Sequence, residues 1–545
     1  MIKSILIFSS YLSILGYSTL IKKFFIKNGI DQNNSFNLIF GLIFLYFFSF
    51  LINFFFPLKF FSLYIFCIGL ILSLFFFKKT FEDINFYLIF IILSLTIIIE
   101  PNSLAADTHF YHLQIIKWYT NEKAIFGIAN LESRFGLISG WHHLLALFNI
   151  PIQRINFLFI FNTIPFVLLC NEVFTTKNKN SLKLYKIFLY SVFIFLMIYA
   201  IIHPTLNGTI FNTMGSADAD SAGTYFFIGS FYFFLKFISE KKNTDFIFLI
   251  ILVNLSYITK ISNIVIILLP VYIIFFYNIN LFKMKKIIFF LFLLNILWFS
   301  KIFISTGCFV FPLDLTCFNL DWSVPKNIIK GLTYEFSSYP RSKNNLEFHY
   351  HNYDYYIQSY SWFKTWFINY FIDISFIQIC AVIVIISLIL ILKKFNFKIF
   401  LIYKNLIIFF VIFFIVNINF WLIAPDIRYA YGIFLCLTSL LFSYSVKDYL
   451  KYIKKIDNYK NVFFIFLFIC LVGKNIKYQY SNDIFIDNRT FDYSNISLYK
   501  KINSYEVYKT NAGNCAFFKK ICIYKDPKNL KIKRLNSYLY ITNEK

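Results

Sequence analysis

Long apolar runs constrain the fold of this chain more than any other feature of its sequence. Such runs recur through most of the 545 residues, and many are long enough to cross a hydrocarbon core about 30 Å thick. They are continuously apolar and lack the alternation of a barrel strand, so helices would satisfy the backbone hydrogen bonds in lipid. The sequence therefore predicts an all-α polytopic membrane protein with about 14 transmembrane helices.

The basic residues predict how these helices are oriented. Lys and Arg number 52 against 27 Asp and Glu, and many cluster in short loops near residues 22–27, 78–79, 241–242, 283–286, 393–398 and 447–455. Because cytoplasmic loops are enriched in Lys and Arg, we expect these loops in the cytoplasm. The formal charge of +25 therefore indicates orientation, and no nucleic-acid partner is expected. We expect a multi-pass protein among the lipids of a bacterial inner (cytoplasmic) membrane.

Ionisable residues on the opposite, outer face form the candidate site. Only 14% of residues are charged, and charges near lipid are costly unless a site or a substrate path needs them. They are concentrated in loops around residues 107–134, 216–220, 314–322 and 424–429, and in a tight turn at 258–262. The candidate residues are Asp107, His109, Tyr111, His112, Arg134, Asp218, Asp220, Lys260, Asp321, Trp322, Asp426 and Arg428.

The residue types in this set suit group transfer from a lipid phosphate. Asp107 could take a proton from an acceptor hydroxyl, with Asp218 and Asp220 assisting it. The cationic side chains could hold a phosphate, for which a guanidinium offers two parallel donors. The His and Tyr side chains that follow Asp107 could hydrogen-bond the substrate. Asp321 and Trp322 could shape an acceptor pocket.

Each candidate also has a simpler structural role. The carboxylates precede helices and could cap their N-termini. Arg428 could form an ion pair with Asp426, and Lys260 could extend its ammonium toward the interface. The histidines at 109 and 112 could pack at the membrane interface. The sequence leaves these alternatives open.

Several motifs resemble a known group of membrane enzymes. The run D-x-x-x-Y-H-L-x-x-x-x-W begins at Asp107, and N-L-x-x-R-x-G-x-x-S-x-W follows from Asn130. D-W-x-V-P, A-P-D-x-R-Y and a C-x6-C pair complete the set. These motifs are similar to an uncharacterised bacterial family of GT-C-like membrane proteins. The order of spans and acidic loops resembles the GT-C superfamily of integral membrane glycosyltransferases.

The resemblance implies a division of the chain. Residues 84–303 would form a GT-C-like helical bundle as the catalytic core, with interfacial helices in its first large outer loop. Residues 1–83 would be additional N-terminal spans. An extracytoplasmic loop at 304–370 would be followed by C-terminal spans at 371–473 and a small α/β-like extracytoplasmic tail at 474–545.

The resemblance also implies an activity. A GT-C-type enzyme would transfer a hexose or pentose from a polyprenyl-phosphate donor to a cell-envelope glycan or glycolipid acceptor, with inversion, on the periplasmic or exterior side. Two adjacent acids, common in first loops of that superfamily, are replaced here by Ala106-Asp107. Metal dependence therefore stays open, with Mg²⁺ or Mn²⁺ held by Asp107, Asp218 and Asp220 as one alternative.

Two other activities remain as alternatives. An O-antigen polymerase or ligase would use similar substrates and would depend on the loop that contains Arg341, His349 and His351. A transporter or flippase of lipid-linked saccharide would place polar groups near the middle of the membrane, whereas here they gather at one face.

The nine cysteines predict disulfides rather than a metal site. Five lie in apolar spans, where thiols pack as small apolar groups. The other four form two close pairs in outer segments, where an oxidising compartment permits bridges. A disulfide is favoured between Cys515 and Cys522, and is less favoured between Cys308 and Cys317.

Overall fold

The computed structural model is predominantly helical and describes residues 2–25, 35–77, 84–99, 107–152, 155–175, 183–203, 210–342, 362–368, 375–393, 397–450, 456–481, 496–502, 505–510, 515, 521–523 and 530–543. The predicted helical membrane fold is confirmed at this level, since eight helices within those ranges are long and apolar enough to cross a membrane. Shorter apolar helices of 10–17 residues lie at the other predicted spans. The total of about 14 spans remains a prediction.

The first part of the chain forms four helices and then a large loop. The helices are α1 (Ile2–Phe25), α2 (Ile39–Phe55), α3 (Lys59–Phe75) and α4 (Phe86–Ile98). The loop holds a π-helical turn (Thr108–His112), α5 (Leu113–Asn121) and α6 (Gly140–Leu147). After it come α7 (Phe157–Phe161), α8 (Thr163–Thr175), α9 (Leu184–Ile202), α10 (Ile210–Met214), α11 (Asp220–Glu240), α12 (Asn243–Thr259), α13 (Leu268–Phe276) and α14 (Lys285–Thr306).

The second part contains an outer segment and the last long helices. The outer helices are α15 (Lys326–Ser342) and α16 (Trp362–Phe367). The long helices are α17 (Ser375–Lys393), α18 (Phe397–Leu422), α19 (Tyr431–Leu450) and α20 (Ile456–Ser481).

The loop helices α5 and α6 are covered by protein. We predicted interfacial helices here, and the helices do form, but every residue of α6 is buried and α5 buries Leu113 and Ile116. Ser139 caps α6 by accepting a hydrogen bond from the Trp141 N–H at 3.2 Å. Its hydroxyl donates to the Thr259 carbonyl at 2.7 Å. The short helix is therefore fixed against the end of α12.

The basic clusters and the candidate site lie at opposite ends of the bundle. Glu240, the last residue of α11, pairs with Lys183 at 2.8 Å and with Lys242 at 3.2 Å. Asp220, at the other end of the same 21-residue helix, lies among the candidate site residues. A helix of that length spans about 30 Å, close to the thickness of a hydrocarbon core. Which end faces the cytoplasm stays a prediction.

The last long helix extends further than predicted. It continues to Ser481, whereas the sequence predicted the end of the span at 473. Lys474 Nζ donates to the Ala200 carbonyl at 2.6 Å, and Asn475 Nδ2 donates to the Ile98 carbonyl at 3.1 Å. Both acceptors lie at helix C-termini, where carbonyls lack partners within their own helix. Polar residues that looked unsuited to a helix in this position therefore cap its neighbours.

Short strands occur in two regions, in and after the first loop and in the tail beyond α20. In the first loop lies β1 (Ile125–Phe126), and β2 (Pro151–Ile152) pairs with β3 (Ile155–Asn156). Beyond α20, β4 (Ile496–Ile502), β5 (Tyr505–Thr510) and β6 (Ile521–Ile523) form one sheet. The hairpin of β7 (Leu530–Leu535) and β8 (Tyr538–Asn543) completes the described tail. The tail predicted as α/β-like thus contains only strands in its described residues beyond Ser481.

The tail is joined to the first loop by what we call the tail clamp, residues 125–130 and 538–543. Strand β8 pairs in parallel with β1, with Ile125 opposite Leu539. Asn130 Nδ2 donates to the carbonyls of Trp322 at 2.8 Å and Ile541 at 3.0 Å. Gly127 has a φ of 69°, and a Cβ there would meet the same two carbonyls. Glycine is therefore needed at this position.

Both outer cysteine pairs form disulfides. The favoured bridge, Cys515–Cys522, is present. The less favoured bridge, Cys308–Cys317, forms as well, because these residues face each other across an isolated antiparallel β-bridge. The spacing of nine residues did not reveal that local pairing.

Candidate functional site

A cavity of about 300 Å³ lies at the end of the bundle opposite the basic loops. The first loop, the start of α11, the end of α12, and helices α14, α15 and α18 contribute to its walls. Most of the lining is apolar and includes Trp298, Phe311 and Trp421. One side holds candidate residues predicted from the sequence, namely Asp107, Tyr111, His112, Asp218, Asp220 and Lys260.

The two carboxylates before α11 are held at its N-terminus. Asp218 Oδ1 accepts a hydrogen bond from the Asp220 N–H at 3.0 Å. Asn162 Nδ2 donates to the Asp218 carbonyl at 2.6 Å and so fixes the backbone. Backbone N–H groups and the helix dipole favour negative charge at this end of a helix. Asp218 thus bonds the N–H of the first residue of α11 from the position before the N-cap residue Ala219, and it lines the cavity.

Lys260 supplies a counter-charge to Asp220. The two side chains form an ion pair, and Lys260 Nζ lies 4.4 Å from the centre of the Tyr429 ring. Lys260 packs against Gly223 of α11, where an added Cβ would lie 3.1 Å from the lysine Cβ. The missing side chain at 223 lets the lysine approach α11 closely enough to reach Asp220.

Arg428 connects the last candidate segment to the first. It lies in a 3-10 turn, Ile427–Tyr429, that Asp426 caps by accepting from the Arg428 N–H at 3.0 Å. The guanidinium donates to Asp107 Oδ2 at 2.7 Å and to Asp426 Oδ2 at 3.2 Å. The Asp107 and Arg428 side chains are 28% and 32% exposed. Asp107 lines the cavity, whereas Arg428 contacts it from outside the lining.

The surroundings separate the pKa values of two acids. Burial pushes the pKa of Asp107 upward, but the charge and the hydrogen bond of Arg428, with weaker charges nearby, together hold that pKa below the ordinary carboxyl value. Burial raises the pKa of Asp218, and the carboxylates of Asp220 and Asp107 raise it further. Asp107 therefore stays ionised while Asp218 favours its protonated form. Two neighbouring acids whose pKa values are shifted in opposite directions are typical of general acid–base sites.

Two histidines form an uncharged part of the cavity wall. His112 and His142 are both buried, and their ring centres lie 4.7 Å apart. Burial lowers the pKa of His112 to about 4, so this imidazole is neutral near pH 7. Within the described residues, His112 Nδ1 and His142 Nε2 are buried without a hydrogen-bond partner. Both rings therefore keep a hydrogen-bonding nitrogen that the described residues do not use.

Arg134 lies beside the cavity lining rather than in it. It forms an ion pair with Glu335 of α15, and its guanidinium carbon lies 5.4 Å from the centre of the Tyr111 ring. We predicted a phosphate contact for this residue. The observed contacts instead join the first loop to α15, which is the structural ion pair considered as the alternative.

Asp321 and Trp322 lie away from the cavity. Asp321 is exposed, and Trp322 packs edge-on against Phe126 with ring centres 5.2 Å apart. Neither residue lines the cavity described above, and this part of the loop contacts β1 and the tail clamp. The acceptor pocket stays a prediction. The side chain of His109, together with His349 and His351, lies outside the described residues.

The carboxylates do not fit the predicted metal site. Asp107 pairs with Arg428 and Asp220 pairs with Lys260, so two of the three expected ligands already have cationic partners. Among the residues that the structure describes, no three His, Cys, Asp or Glu side chains are grouped to hold a metal ion. Divalent Mg²⁺ or Mn²⁺ would need several free oxygen donors. The predicted ion gains no support from this arrangement.

The cavity lining also includes residues that were not candidates from the sequence. His142, Ser262 and Tyr429 line the cavity beside the charged groups. His142 lies in the apolar run 136–149, which we interpreted as a re-entrant or interfacial helix. Burying a polar imidazole in an apolar run is costly. That cost is the signal that could have identified His142 as a functional residue. Tyr429 directly follows Arg428, but the direction of its side chain depends on Lys260.

The fold and the site define a helical membrane protein with a charged cavity near one end of its bundle. The chain belongs to the family described as Domain of unknown function (DUF8201), whose model matches residues 1–435. The match includes the ion-paired residues Asp107, Asp220, Lys260, Asp426 and Arg428. The strands of the tail beyond α20 lie outside it. No curated protein and no solved structure matches the chain.

Proposed function

We propose that this protein is a GT-C-type glycosyltransferase that takes a sugar from a polyprenyl-phosphate donor. The observation that carries the proposal is that Asp107, Asp218 and Lys260 line a largely apolar cavity and that Arg428, outside the lining, is paired with Asp107. A lipid phosphate needs a cationic contact and an apolar region, and an acceptor hydroxyl needs a carboxylate. The acceptor would be a cell-envelope glycan or glycolipid at the outer face of a bacterial inner membrane.

In the proposed reaction, the acceptor oxygen attacks the anomeric carbon while the bond from that carbon to the phosphate oxygen breaks. Asp107 takes the acceptor proton. Polyprenyl phosphate leaves with the bonding electron pair, and Lys260 and Arg428 stabilise its charge. Protonated Asp218 donates a hydrogen bond to the departing phosphate. Attack opposite the leaving group inverts the anomeric configuration, and no step uses a metal.

The ion pair between Asp107 and Arg428 would couple donor binding to activation of the base. A carboxylate whose pKa is lowered by a guanidinium accepts protons weakly. A donor phosphate that binds Arg428 would replace Asp107 as its partner and free that carboxylate for the acceptor hydroxyl. Asp426 would keep the guanidinium in place during this exchange, because it contacts the same side chain from the adjacent turn.

One contact argues against the polymerase or ligase alternative. Arg341, one of the residues in the loop on which that alternative depends, donates to the carbonyls of Leu422 at 2.6 Å and Ile423 at 3.1 Å. These bonds anchor α15 to the end of α18, so the guanidinium has a structural role. The transporter alternative is disfavoured because the ion pairs gather at one end of the bundle rather than at its middle.

Transfer of a labelled sugar by the purified full chain tests the proposal. With a panel of labelled polyprenyl-phosphate sugars, Asp107→Asn should lower the rate by roughly 100-fold or more. Glu240→Gln is the matched control, because it removes a carboxylate from an ion pair at the far end of α11. It should leave the rate unchanged. Wild-type transfer by Asp107→Asn, or no transfer by the folded wild type with any donor, would overturn the proposal.

A further inference from the structure

Helix α14 exposes one apolar face along most of its length. The apolar side chains of this face recur three and four positions apart and are exposed or half-buried, at Phe289, Phe292, Ile296, Phe299 and Phe303. Buried residues such as Leu291 and Trp298 lie on the opposite side of the helix. Because α14 is long and apolar enough to cross a membrane, its exposed face is the one that would contact lipid.

The loop that follows α14 continues this face. We call residues 308–318 the apolar loop, because its exposed side chains include Phe309, Leu313, Leu315 and Phe318. The Phe303 ring of α14 contacts Phe309 and Phe318, with ring centres 5.2 Å and 5.8 Å away. The 22 residues of α14 span about 33 Å, close to the thickness of a hydrocarbon core. The apolar loop therefore begins where the helix would leave that core.

The backbone of the apolar loop is hydrogen-bonded locally. The Phe309 N–H donates to the Thr316 carbonyl at 3.1 Å, and the Phe318 N–H donates to the Gly307 carbonyl at 2.9 Å. The Val310 N–H donates to the Thr316 hydroxyl oxygen at 3.0 Å. A segment that is not helical can approach hydrocarbon only when its backbone groups are satisfied. These bonds therefore suit the apolar loop to contact with lipid.

Other residues of the apolar loop face the protein. Val310, Phe311 and Pro312 line the cavity, and Phe311 is buried. The Phe311 ring lies against Gly136 of the first loop, where an added Cβ would be 2.7 Å from the ring. These residues lie between the exposed Phe309 and Leu313. The same short segment therefore contributes to the cavity wall and exposes apolar side chains to the surroundings.

We propose that the apolar loop is a membrane anchor, whose exposed side chains lie among the phospholipids of the leaflet on the cavity side of the bundle. Lipid is favoured over a protein partner because the apolar loop extends the exposed face of α14, which is itself a candidate span. Asp314 lies beside Leu315, and its charge restricts the insertion to the headgroup boundary. The cavity wall at 310–312 then lies at the level of the headgroups. The anchor does not depend on the proposed reaction.

Photocrosslinking to lipid tests the anchor. Leu315 is 89% exposed, so its replacement removes few contacts and should leave the fold intact. The full chain with Leu315→p-benzoylphenylalanine would be reconstituted in vesicles of phosphatidylethanolamine and phosphatidylglycerol that contain a tritiated phospholipid. Irradiation should attach the labelled lipid to the protein. If this variant does not fold, the same replacement at Phe309 takes its place.

Two further positions provide the matched controls. The same replacement at Phe292, on the exposed face of α14, should be labelled strongly. At Asp321, which is exposed and next to the tail clamp, it should be labelled weakly. Position 315 should take up roughly fivefold more lipid than position 321 and come within about threefold of position 292.

Three results would overturn the anchor. The first is equal labelling at positions 315 and 321. The second is a crosslink from position 315 to a second copy of the chain in place of lipid, which would assign the exposed side chains to a protein interface. The third is weak labelling at position 292, because the exposed face of α14 would then not face lipid.

Discussion

Arg428 and Asp107 are 321 positions apart in the chain, yet the guanidinium of one lies 2.7 Å from the carboxylate of the other. The contact joins the first outer loop to the turn before α19, and its carboxylate lines the cavity. Asp426 shares the same guanidinium, so one arginine balances two carboxylates. Its removal would leave both acids without their counter-charge, which is costly in a partly buried site.

A double-mutant cycle should detect this contact as a coupling in stability. For Asp107→Asn and Arg428→Gln we expect a coupling energy of about 1–2 kcal/mol, obtained from free energies of unfolding in detergent. The value lies between those of surface and buried pairs because the side chains are 28% and 32% exposed. The control pair, Lys183 with Glu240, includes a lysine that is 43% exposed and should couple by less than about 0.5 kcal/mol. Equal coupling in the two cycles would contradict a special role for Arg428.

The proposed transfer should fall at both acidic and alkaline pH. Burial raises the pKa of Asp107, but the charge and the hydrogen bond of Arg428 and weaker charges nearby together lower it by more, so the rate should fall only when pH drops through this lowered value. Burial and two neighbouring carboxylates raise the pKa of Asp218, so its proton is lost, and the rate falls, as pH rises above the ordinary carboxyl range. Asp218→Asn keeps a donor at every pH and should flatten the alkaline limb of the rate profile. An unchanged alkaline limb would assign that limb to another group.

Gly127→Ala should loosen the tail clamp. Its φ of 69° is unfavourable for alanine, and the new Cβ would meet the carbonyls of Ile541 and Trp322. We expect a cost of about 1–3 kcal/mol and faster proteolysis of the tail beyond Ser481. Gly331→Ala is the control, since its Cβ would have no neighbour within 4 Å in helix α15. That change should stabilise the helix by about 0.5–1 kcal/mol, and similar tail cleavage in both variants would contradict the clamp.

Loss of the Cys308–Cys317 bridge should destabilise the loop after α14. The bridge joins residues nine positions apart, and closing a loop of this size contributes about 2–3 kcal/mol through the unfolded state. Cys308→Ser combined with Cys317→Ser should lower the free energy of unfolding by that amount in denaturant titrations. Cys67→Ser, at an exposed free thiol, should have little effect. A wild type whose peptide map shows both thiols free would remove the basis of this prediction.

The sequence predicted those parts of the site that depend on local signals. An acid before an apolar run marks the N-terminus of a helix, and this places Asp218 and Asp220 at the end of the bundle. Charged residues between apolar runs identified Lys260 and Arg428 in the same way. The same signals could not show that Asp321 and Trp322 lie outside the cavity, since the path of that loop depends on its contacts with β1 and the tail.

The sequence by itself determined that the chain is helical, that long apolar helices can span a membrane, and that acids and cations gather away from the basic loops. These properties follow from composition and periodicity within one segment. Only the tertiary structure decided that Asp107 pairs with Arg428, that His142 reaches the cavity, and that β8 pairs with β1. Such contacts join segments hundreds of residues apart, and they depend on how helices pack across the bundle, which no local pattern encodes.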